Sequence, residues 1–312
     1  MDRRTVDLEG PVHYADFGGS GRPIVLLHGL GGSHANWLAV APRLARIGRV
    51  LAPDLLGHGR TRSLGRRATV DGNLRLLEGF LDRVAGGPAA LVGNSLGGYL
   101  AIAFAAAFPA RVTSLVLVAP AAPVSPRALL DREVLTLFAG AALPFVGGAV
   151  VRWRRRNGPE RLVADSLRLV CADPARVEPE VVEAHVELAR ERFTFGSGVV
   201  REFLATERSL VARLTRRGRF REMVRRVRVP ALLVQGDEDR IVRLESTRAL
   251  AAVRPDWRLE VFRGVGHVPQ LEAPGPFLAV VEPWLAGAGA SPPPTGPPLH
   301  SPRAVGSMER TE

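Results

Sequence analysis

One serine of the chain stands in a sequence context that is typical of a catalytic nucleophile. Ser95 lies within Gly93-Asn94-Ser95-Leu96-Gly97-Gly98, after the apolar run 89–92 and before the alanine-rich segment 99–108. The run predicts a buried strand and the later segment a helix, which places Ser95 in a sharp turn between them. Gly93 and Gly97 permit such a turn, which would expose the hydroxyl group at a helix N-terminus. The alternative is an ordinary capping serine in a glycine-rich turn.

A serine hydroxyl needs a general base to become a nucleophile, and the usual base is a histidine held by a carboxylate. Of the seven histidines, His267 is the best candidate, because it follows the last predicted strand, residues 257–262. Three other histidines lie near the ends of predicted strands and remain weaker candidates: His28, His34 and His58.

The partner carboxylate is expected from the loop after the preceding predicted strand, residues 231–234. Gly236 is followed there by three acidic residues, Asp237, Glu238 and Asp239. Their position alone leaves all three open.

Short apolar runs of this kind recur along the chain and alternate with segments of helical spacing. The runs are residues 24–27, 49–52, 89–92, 112–118, 231–234 and 257–262, and they follow a predicted opening hairpin at residues 5–9 and 12–17. Such alternation predicts an α/β fold with a mostly parallel central sheet and helices on both faces. The carboxyl ends of its strands would bring the candidate residues to one edge.

The strand pattern stops for roughly a hundred residues after residue 119, where the segments suit helices. The predicted helices are residues 126–137, 159–171, 178–192 and 199–214. We therefore expect a core of residues 1–120 and 229–286 with an inserted helical cap at 121–228. Residues 287–312 are rich in proline and glycine and predict a disordered C-terminal tail.

Composition excludes several classes of protein. The single cysteine, Cys171, cannot form an internal disulfide, and four-ligand zinc spacing is absent. The net charge is +11 and every basic residue is arginine, but the basic run 213–228 lacks interleaved aromatic residues apart from Phe220, which argues against a nucleic-acid partner. The charged N-terminus does not resemble a signal peptide, which predicts a cytoplasmic location.

The predicted cap contains an uncharged stretch, residues 134–151, that is followed by Trp153 and by Arg152, Arg154, Arg155 and Arg156. Proline and glycines interrupt the stretch, so a membrane span is disfavoured. A pair of cap helices lining an apolar acyl pocket is favoured, and an interfacial segment touching an anionic membrane surface is the alternative.

Together with two further segments, these motifs resemble those of the α/β-hydrolase superfamily from about residue 11 to 285, apart from the cap. The further segments are His28-Gly29 and Asp54-Leu55-Leu56-Gly57-His58-Gly59-Arg60. The chain order Ser, Asp, His is that of the family. The family's usual Gly-x-x-Asp turn selects Asp239.

The resemblance also implies an oxyanion hole made by the backbone N–H groups of Leu30 and Leu96, with His28 orienting its loop. It implies neither cofactor nor metal.

The function implied is a serine hydrolase that cleaves ester, thioester or lactone bonds of a small, apolar acyl substrate. One alternative is a carbon–carbon bond hydrolase of ring-cleavage products, whose serine motif is similar; those enzymes commonly place an aromatic residue after the histidine, whereas Val268 stands here. Another is a catalytically idle protein of this fold that binds lipid or anionic surfaces.

Overall fold

The computed structural model describes residues 1–123, 148–149, 152 and 155–288, and a central β-sheet organises them. Its strands are β1 (Asp2–Asp7), β2 (Pro11–Gly18), β3 (Pro23–Leu27), β4 (Arg49–Pro53), β5 (Ala89–Asn94), β6 (Val112–Val118), β7 (Ala231–Gly236) and β8 (Arg258–Phe262). The spatial order is β1-β2-β4-β3-β5-β6-β7-β8. Only the pairs β1–β2 and β2–β4 are antiparallel. This arrangement confirms the predicted mostly parallel sheet.

Helices cover both faces of this sheet, as predicted. They are α1 (Ala41–Leu44), α2 (Val70–Phe80), α3 (Leu96–Ala107), α4 (Gly158–Val170), α5 (Pro179–Thr194), α6 (Gly198–Leu214), α7 (Arg217–Arg226), α8 (Leu244–Val253), α9 (Pro269–Glu272) and α10 (Pro274–Ala288). Leu91 of β5 belongs to a buried cluster with residues of α2, α3, α7 and α8. Its neighbour Val92 belongs to a second cluster with residues of α1 and α10. Alternate side chains of β5 therefore point to opposite, covered faces, which is why residues 89–92 of this strand are all apolar.

The opening hairpin differs in position from the prediction. Its first strand spans Asp2–Asp7, and the predicted range 5–9 is wrong because the chain turns at Glu9 and Gly10, both with positive φ (56° and 127°). The side chain of Asp7 accepts a hydrogen bond from Gly10 N at 2.7 Å, which closes the turn.

Helices α4, α5 and α6 lie between β6 and β7 in the chain and coincide with three of the predicted helices to within two residues at either end. Val163 and Leu167 of α4 pack with Val181 of α5 in a cluster that also contains Val268, next to His267. The inserted helices therefore rest on the loop that carries the candidate base. The division of the chain into core 1–120 and 229–286 and cap 121–228 stays a prediction.

Several sequence predictions fall outside the described residues. These are the helix 126–137, most of the uncharged stretch 134–151, Trp153 and Arg154, and all of the predicted tail beyond residue 288. Residues 287 and 288 are not tail but the last residues of α10, whose buried face continues to Leu285. Among the described residues, no helix is long and apolar enough to cross a membrane.

Candidate active site

Ser95 occupies a strained turn between β5 and α3. Its backbone adopts φ 54° and ψ −113°, a conformation that non-glycine residues rarely adopt and that costs about 1–3 kcal/mol. A Cβ atom at Gly93 would come within 2.4 Å of Gly97, and one at Gly97 within 2.1 Å of the Leu27 carbonyl oxygen. The two glycines therefore allow the strand, the turn and the helix to pack this closely, as the serine motif predicts.

His267 and Asp239 form a buried pair. Asp239 Oδ2 lies 2.8 Å from His267 Nδ1, and both side chains are almost inaccessible to solvent. Because the carboxylate accepts this hydrogen bond, the imidazole carries its proton on Nδ1, which leaves Nε2 with a free lone pair. Of the three acids left open by position, Asp237 and Glu238 are exposed. Asp239 alone contacts the imidazole among them.

Hydrogen bonds to both oxygens hold the Asp239 carboxylate in place. Its Oδ1 accepts hydrogen bonds from the backbone N–H groups of Ile241 (2.8 Å) and Val242 (2.9 Å). Its Oδ2 also accepts one from Gln235 Nε2 at 2.9 Å. Gln235 is held in turn by Thr247, whose hydroxyl donates to Gln235 Oε1 at 2.6 Å. This chain of contacts orients the carboxylate toward His267.

A cavity of about 340 Å³ lies over these residues, and Ser95 and His267 both line it. The rest of its described lining is largely apolar and comes mainly from the loop after β3, from α4, α5 and α6, and from the segments after β6, β7 and β8. Within the described ranges, no group of three or more His, Cys, Asp or Glu side chains could hold a metal ion. The site thus combines a serine, a histidine and a buried carboxylate with an apolar chamber.

The loop after β3 contains Leu30, one of the two expected N–H donors of the oxyanion hole, and His28, which is expected to orient this loop. Leu30 lines the cavity beside Gly29. His28 is fully buried, and its Nδ1 donates to Gly29 O (2.7 Å) while Nε2 accepts from Leu55 N (3.0 Å). Burial lowers the pKa of His28 to about 4, so the ring is neutral in this role. Leu96 is the first residue of α3, where backbone N–H groups have no partner within the helix.

A second histidine–carboxylate pair supports the loops and does not line the cavity. Asp54 Oδ1 accepts hydrogen bonds from His34 N (2.7 Å) and His34 Nδ1 (2.9 Å), and Oδ2 accepts one from Arg60 N (2.8 Å). Burial raises the pKa of Asp54, but these hydrogen bonds and the charge of His34 outweigh it and leave the pKa at about 2. Nearby His58 is also buried, which lowers its pKa to about 3.

Two polar residues that the sequence analysis did not single out hold the histidine loop in place. Asn94 Nδ2 donates to His267 O at 3.1 Å and to Val118 O at 3.2 Å. Glu272 Oε2 accepts from Gly266 N at 2.7 Å. A polar residue inside an apolar strand, as at Asn94 and Gln235, is the signal that could have identified the supporting contacts. Glu272, in a short helix, gives no such signal.

Comparisons with known proteins agree with this architecture. Residues 22–274 match the model of the alpha/beta hydrolase fold family. The chain belongs to the alpha/beta hydrolase fold family. This hydrolase is 31% identical to a 2-hydroxy-6-oxo-2,4-heptadienoate hydrolase of Pseudomonas putida, over 86% of this chain and 90% of that protein. It is also 31% identical to a 2-hydroxymuconate semialdehyde hydrolase of a Pseudomonas species, over 88% and 90% of the two chains.

A solved structure extends the similarity to a different type of hydrolase. A thermophilic esterase from Thermogutta terrifontis superposes on this alpha/beta hydrolase with a TM-score of 0.70 at 25% identity, covering 93% of this chain and all (100%) of the esterase. The similar proteins therefore include an esterase, a 2-hydroxy-6-oxo-2,4-heptadienoate hydrolase and a 2-hydroxymuconate semialdehyde hydrolase. Membership of the family alone does not specify which type of bond is cleaved.

Proposed function

We propose that this alpha/beta hydrolase cleaves carboxylic ester or thioester bonds of substrates with an apolar acyl group, with Ser95 as nucleophile. The observation that carries the proposal is the buried hydrogen bond between His267 Nδ1 and Asp239 Oδ2, beside a cavity that Ser95 and His267 share. A serine in such a turn and a histidine that a carboxylate orients in this way supply the nucleophile and the general base of acyl transfer.

In the proposed mechanism, Ser95 Oγ attacks the substrate carbonyl carbon while His267 Nε2 takes the hydroxyl proton. Asp239 stabilises the imidazolium that forms, and the backbone N–H groups of Leu30 and Leu96 stabilise the oxyanion. His267 then gives its proton to the departing alcohol or thiol, which leaves an acyl-enzyme. Water, deprotonated by His267, attacks this ester and releases the acid and free Ser95.

The apolar lining supports an apolar acyl group. Aliphatic side chains of the inserted helices belong to this lining, among them Val163, Leu167, Val200, Leu210 and Leu214. Each methylene group transferred from water to such a surface contributes about 0.8 kcal/mol. Affinity should therefore increase with acyl length until the cavity is full.

Two assays test this proposal. A fluorophosphonate probe labels only an activated serine, so wild-type protein should be labelled and Ser95→Ala should not. Nitrophenyl esters of increasing acyl length should then be hydrolysed with a kcat/KM that rises with length. Unlabelled wild-type protein would instead support the idle, surface-binding alternative.

Carbon–carbon bond hydrolysis is a second candidate, supported by the names of the two Pseudomonas relatives. The name of the first relative describes a dienoate whose carboxylate lies beside a 2-hydroxyl group, with a 6-oxo group at the other end of the diene. Among the described residues that line the cavity are two arginines, Arg155 and Arg192, which could bind such a carboxylate. Arg192 is held in place, since Nη1 donates to Gly59 O (2.7 Å) and Nη2 to Gly57 O (2.8 Å). Val268 after the histidine argues in the other direction.

The two candidates are separated by one comparison. A 2-hydroxy-6-oxo-dienoate and a nitrophenyl ester are each followed by absorbance with the same enzyme preparation. A dienoate kcat/KM about 100-fold above that for the best ester, reduced by Arg192→Gln, would assign the carbon–carbon function. The reverse ratio would assign the esterase function.

We also propose the predicted contact with an anionic membrane surface. Arg155, one of its four arginines, lies over the Phe193 ring, 4.1 Å from the centroid, and lines the cavity. The membrane contact would therefore depend on the exposed Arg152 and Arg156. Retention of the protein on anionic vesicles at low but not at high salt would support this contact.

A further inference from the structure

Helix α6 presents an unusual residue to the cavity. Glu207 is only 1% exposed and lines the same cavity as Ser95 and His267. Both of its carboxyl oxygens are buried and have no hydrogen-bond partner among the described residues. The cavity residues one turn and two turns further along the helix, Leu210 and Leu214, are apolar. Glu207 is thus an unsatisfied carboxyl group in a largely aliphatic chamber.

Two polar neighbours of Glu207 in α6, Thr206 and Ser209, form hydrogen bonds that hold the helix against the rest of the protein. Thr206 Oγ1 donates to Ala68 O at 2.9 Å, and Ser209 Oγ accepts from Val70 N at 3.1 Å. These hydrogen bonds attach α6 to Ala68 and to the first residue of α2. Glu207 takes no part in them, so a structural role in docking the helix does not account for its carboxyl group.

An unsatisfied buried polar group costs about 1–3 kcal/mol, and an ionised one more. Burial accordingly raises the pKa of Glu207 to about 7, opposed only by the exposed Arg208. A polar group of a ligand that forms a hydrogen bond with the Glu207 carboxyl group would remove this free-energy cost. The position should therefore select ligands that carry such a group.

We propose that Glu207 forms a polar subsite of the cavity that binds a hydroxyl or amino group on the otherwise apolar chain of the substrate. This inference rests on the proposed function in so far as the cavity is the substrate site. Both groups donate hydrogen bonds to carboxyl oxygens, whereas a carboxylate or phosphate at this position would be repelled by the ionised form. An anionic end of a substrate would instead be directed to Arg155 and Arg192, which lie on other segments of the lining.

The first test is a set of nitrophenyl esters whose acyl chains of increasing length end in a methyl, hydroxyl or amino group. A parallel set carries the same end groups on the alcohol portion. At the best length, kcat/KM of the wild type should favour the hydroxyl or amino ester by about 10-fold or more over an unsubstituted ester of equal length. Glu207→Leu should reduce this ratio to about twofold or less.

Two variants complete the design. Thr206→Val is the matched control, since it removes a buried hydroxyl from the same helix outside the cavity lining, and it should keep the wild-type ratio. Glu207→Gln keeps a hydrogen-bonding side chain without the charge. It should retain the preference for the hydroxyl group and lose most of that for the amino group.

A binding measurement separates failure of the subsite from failure of the proposed function. Calorimetric titration of the Ser95→Ala variant, with and without Glu207→Leu, uses hexanol, hexanediol and aminohexanol as ligands. Tighter binding of the substituted ligands that depends on Glu207 supports the subsite even if no ester is hydrolysed. Equal preference with and without Glu207→Leu, or no binding of any substituted ligand, overturns it.

Discussion

At the residue scale, the proposed nucleophile is the first position to substitute. Ser95→Ala removes one oxygen from a turn whose shape is set by Gly93 and Gly97, so the fold should be retained. We expect kcat to fall by about 10³-fold or more, because the residual rate comes from binding and oxyanion stabilisation alone. Ester hydrolysis and circular dichroism measure the two effects. Full activity in this variant would contradict the acyl-transfer mechanism.

The neighbouring acids Asp239 and Asp237 provide a matched pair. Asp239→Asn would present an amide nitrogen to a histidine that needs an acceptor at Nδ1, and kcat should fall by about 10²- to 10⁴-fold. Asp237 is exposed and accepts a hydrogen bond from Gly264 N at 2.7 Å, which an asparagine oxygen can also accept. Asp237→Asn should therefore stay within about twofold of the wild type. Steady-state kinetics of both variants decide the assignment, and the opposite order would make Asp237 the acid.

Residue types and order in the chain were enough to predict the serine turn and to rank His267 first, and the family resemblance selected Asp239. Gln235, Glu272 and Glu207 were not predicted, although all three are buried. Glu272 accepts hydrogen bonds from Ala172 N and Asp173 N, which lie about 100 residues earlier in the chain, and Gln235 acts through its hydrogen bond to Asp239. The carboxyl oxygens of Glu207 have no hydrogen-bond partner among the described residues. A glutamate in a helix is ordinarily exposed on the surface. Glu207 is buried because it lines the cavity, whose position is known only from the structure.

At the scale of elements, the histidine loop is attached to the inserted helices. His267 N donates to Val170 O, the last residue of α4, at 2.6 Å. Glu272 extends this attachment, because its carboxylate accepts hydrogen bonds from Gly266 N (2.7 Å), Ala172 N (3.1 Å) and Asp173 N (2.8 Å). The position of the proposed base therefore depends on where α4 ends.

Glu272→Gln tests this attachment. An amide has one acceptor oxygen where three backbone N–H groups need acceptors, so the free energy of unfolding should fall by about 1–3 kcal/mol. The activity at a temperature where the variant is folded should also fall, because the histidine is less well fixed. Denaturant unfolding and kinetics measure both. Glu183→Gln is the control, since it alters only an exposed ion pair with Arg190; equal effects in the two variants would refute the attachment.

Helix α7 has a buried face that the sequence alone did not distinguish from an exposed, charged segment. The helix lies within the basic run 213–228, and the arginines of this run are mostly exposed. Phe220 and Val224, four residues apart, are nevertheless buried against the same cluster as α3 and α8. Met223 also packs against this cluster. The spacing was present in the sequence, but three apolar residues among so many charged ones are a weak helical pattern.

At the scale of the whole molecule, stability should depend on pH through buried groups other than Ser95, His267 and Asp239. Burial lowers the pKa of His28 to about 4 and that of His58 to about 3, from 6.5, and it also lowers the pKa of His185. As pH falls below 6.5, these histidines bind protons in the unfolded chain but not in the folded chain. They therefore lower the free energy of unfolding as the pH falls. Glu207, with its pKa raised from 4.5 to about 7, acts in the opposite sense. Its contribution is present at low pH and is lost as pH rises through 7.

These opposing signs lead to a prediction that two substitutions can resolve. Near about pH 5.5, His28 and His58 each contribute about one proton taken up on unfolding, and Glu207 about one proton released. His58→Asn, whose amide can still donate to Leu56 O as Nδ1 does at 2.9 Å, should lower net uptake by about one proton. Glu207→Leu should raise it by about one. The slope of unfolding free energy against pH, from denaturant titrations between pH 5 and 7, measures the uptake. Identical slopes in all three proteins would mean that these buried groups titrate as they do in the unfolded chain.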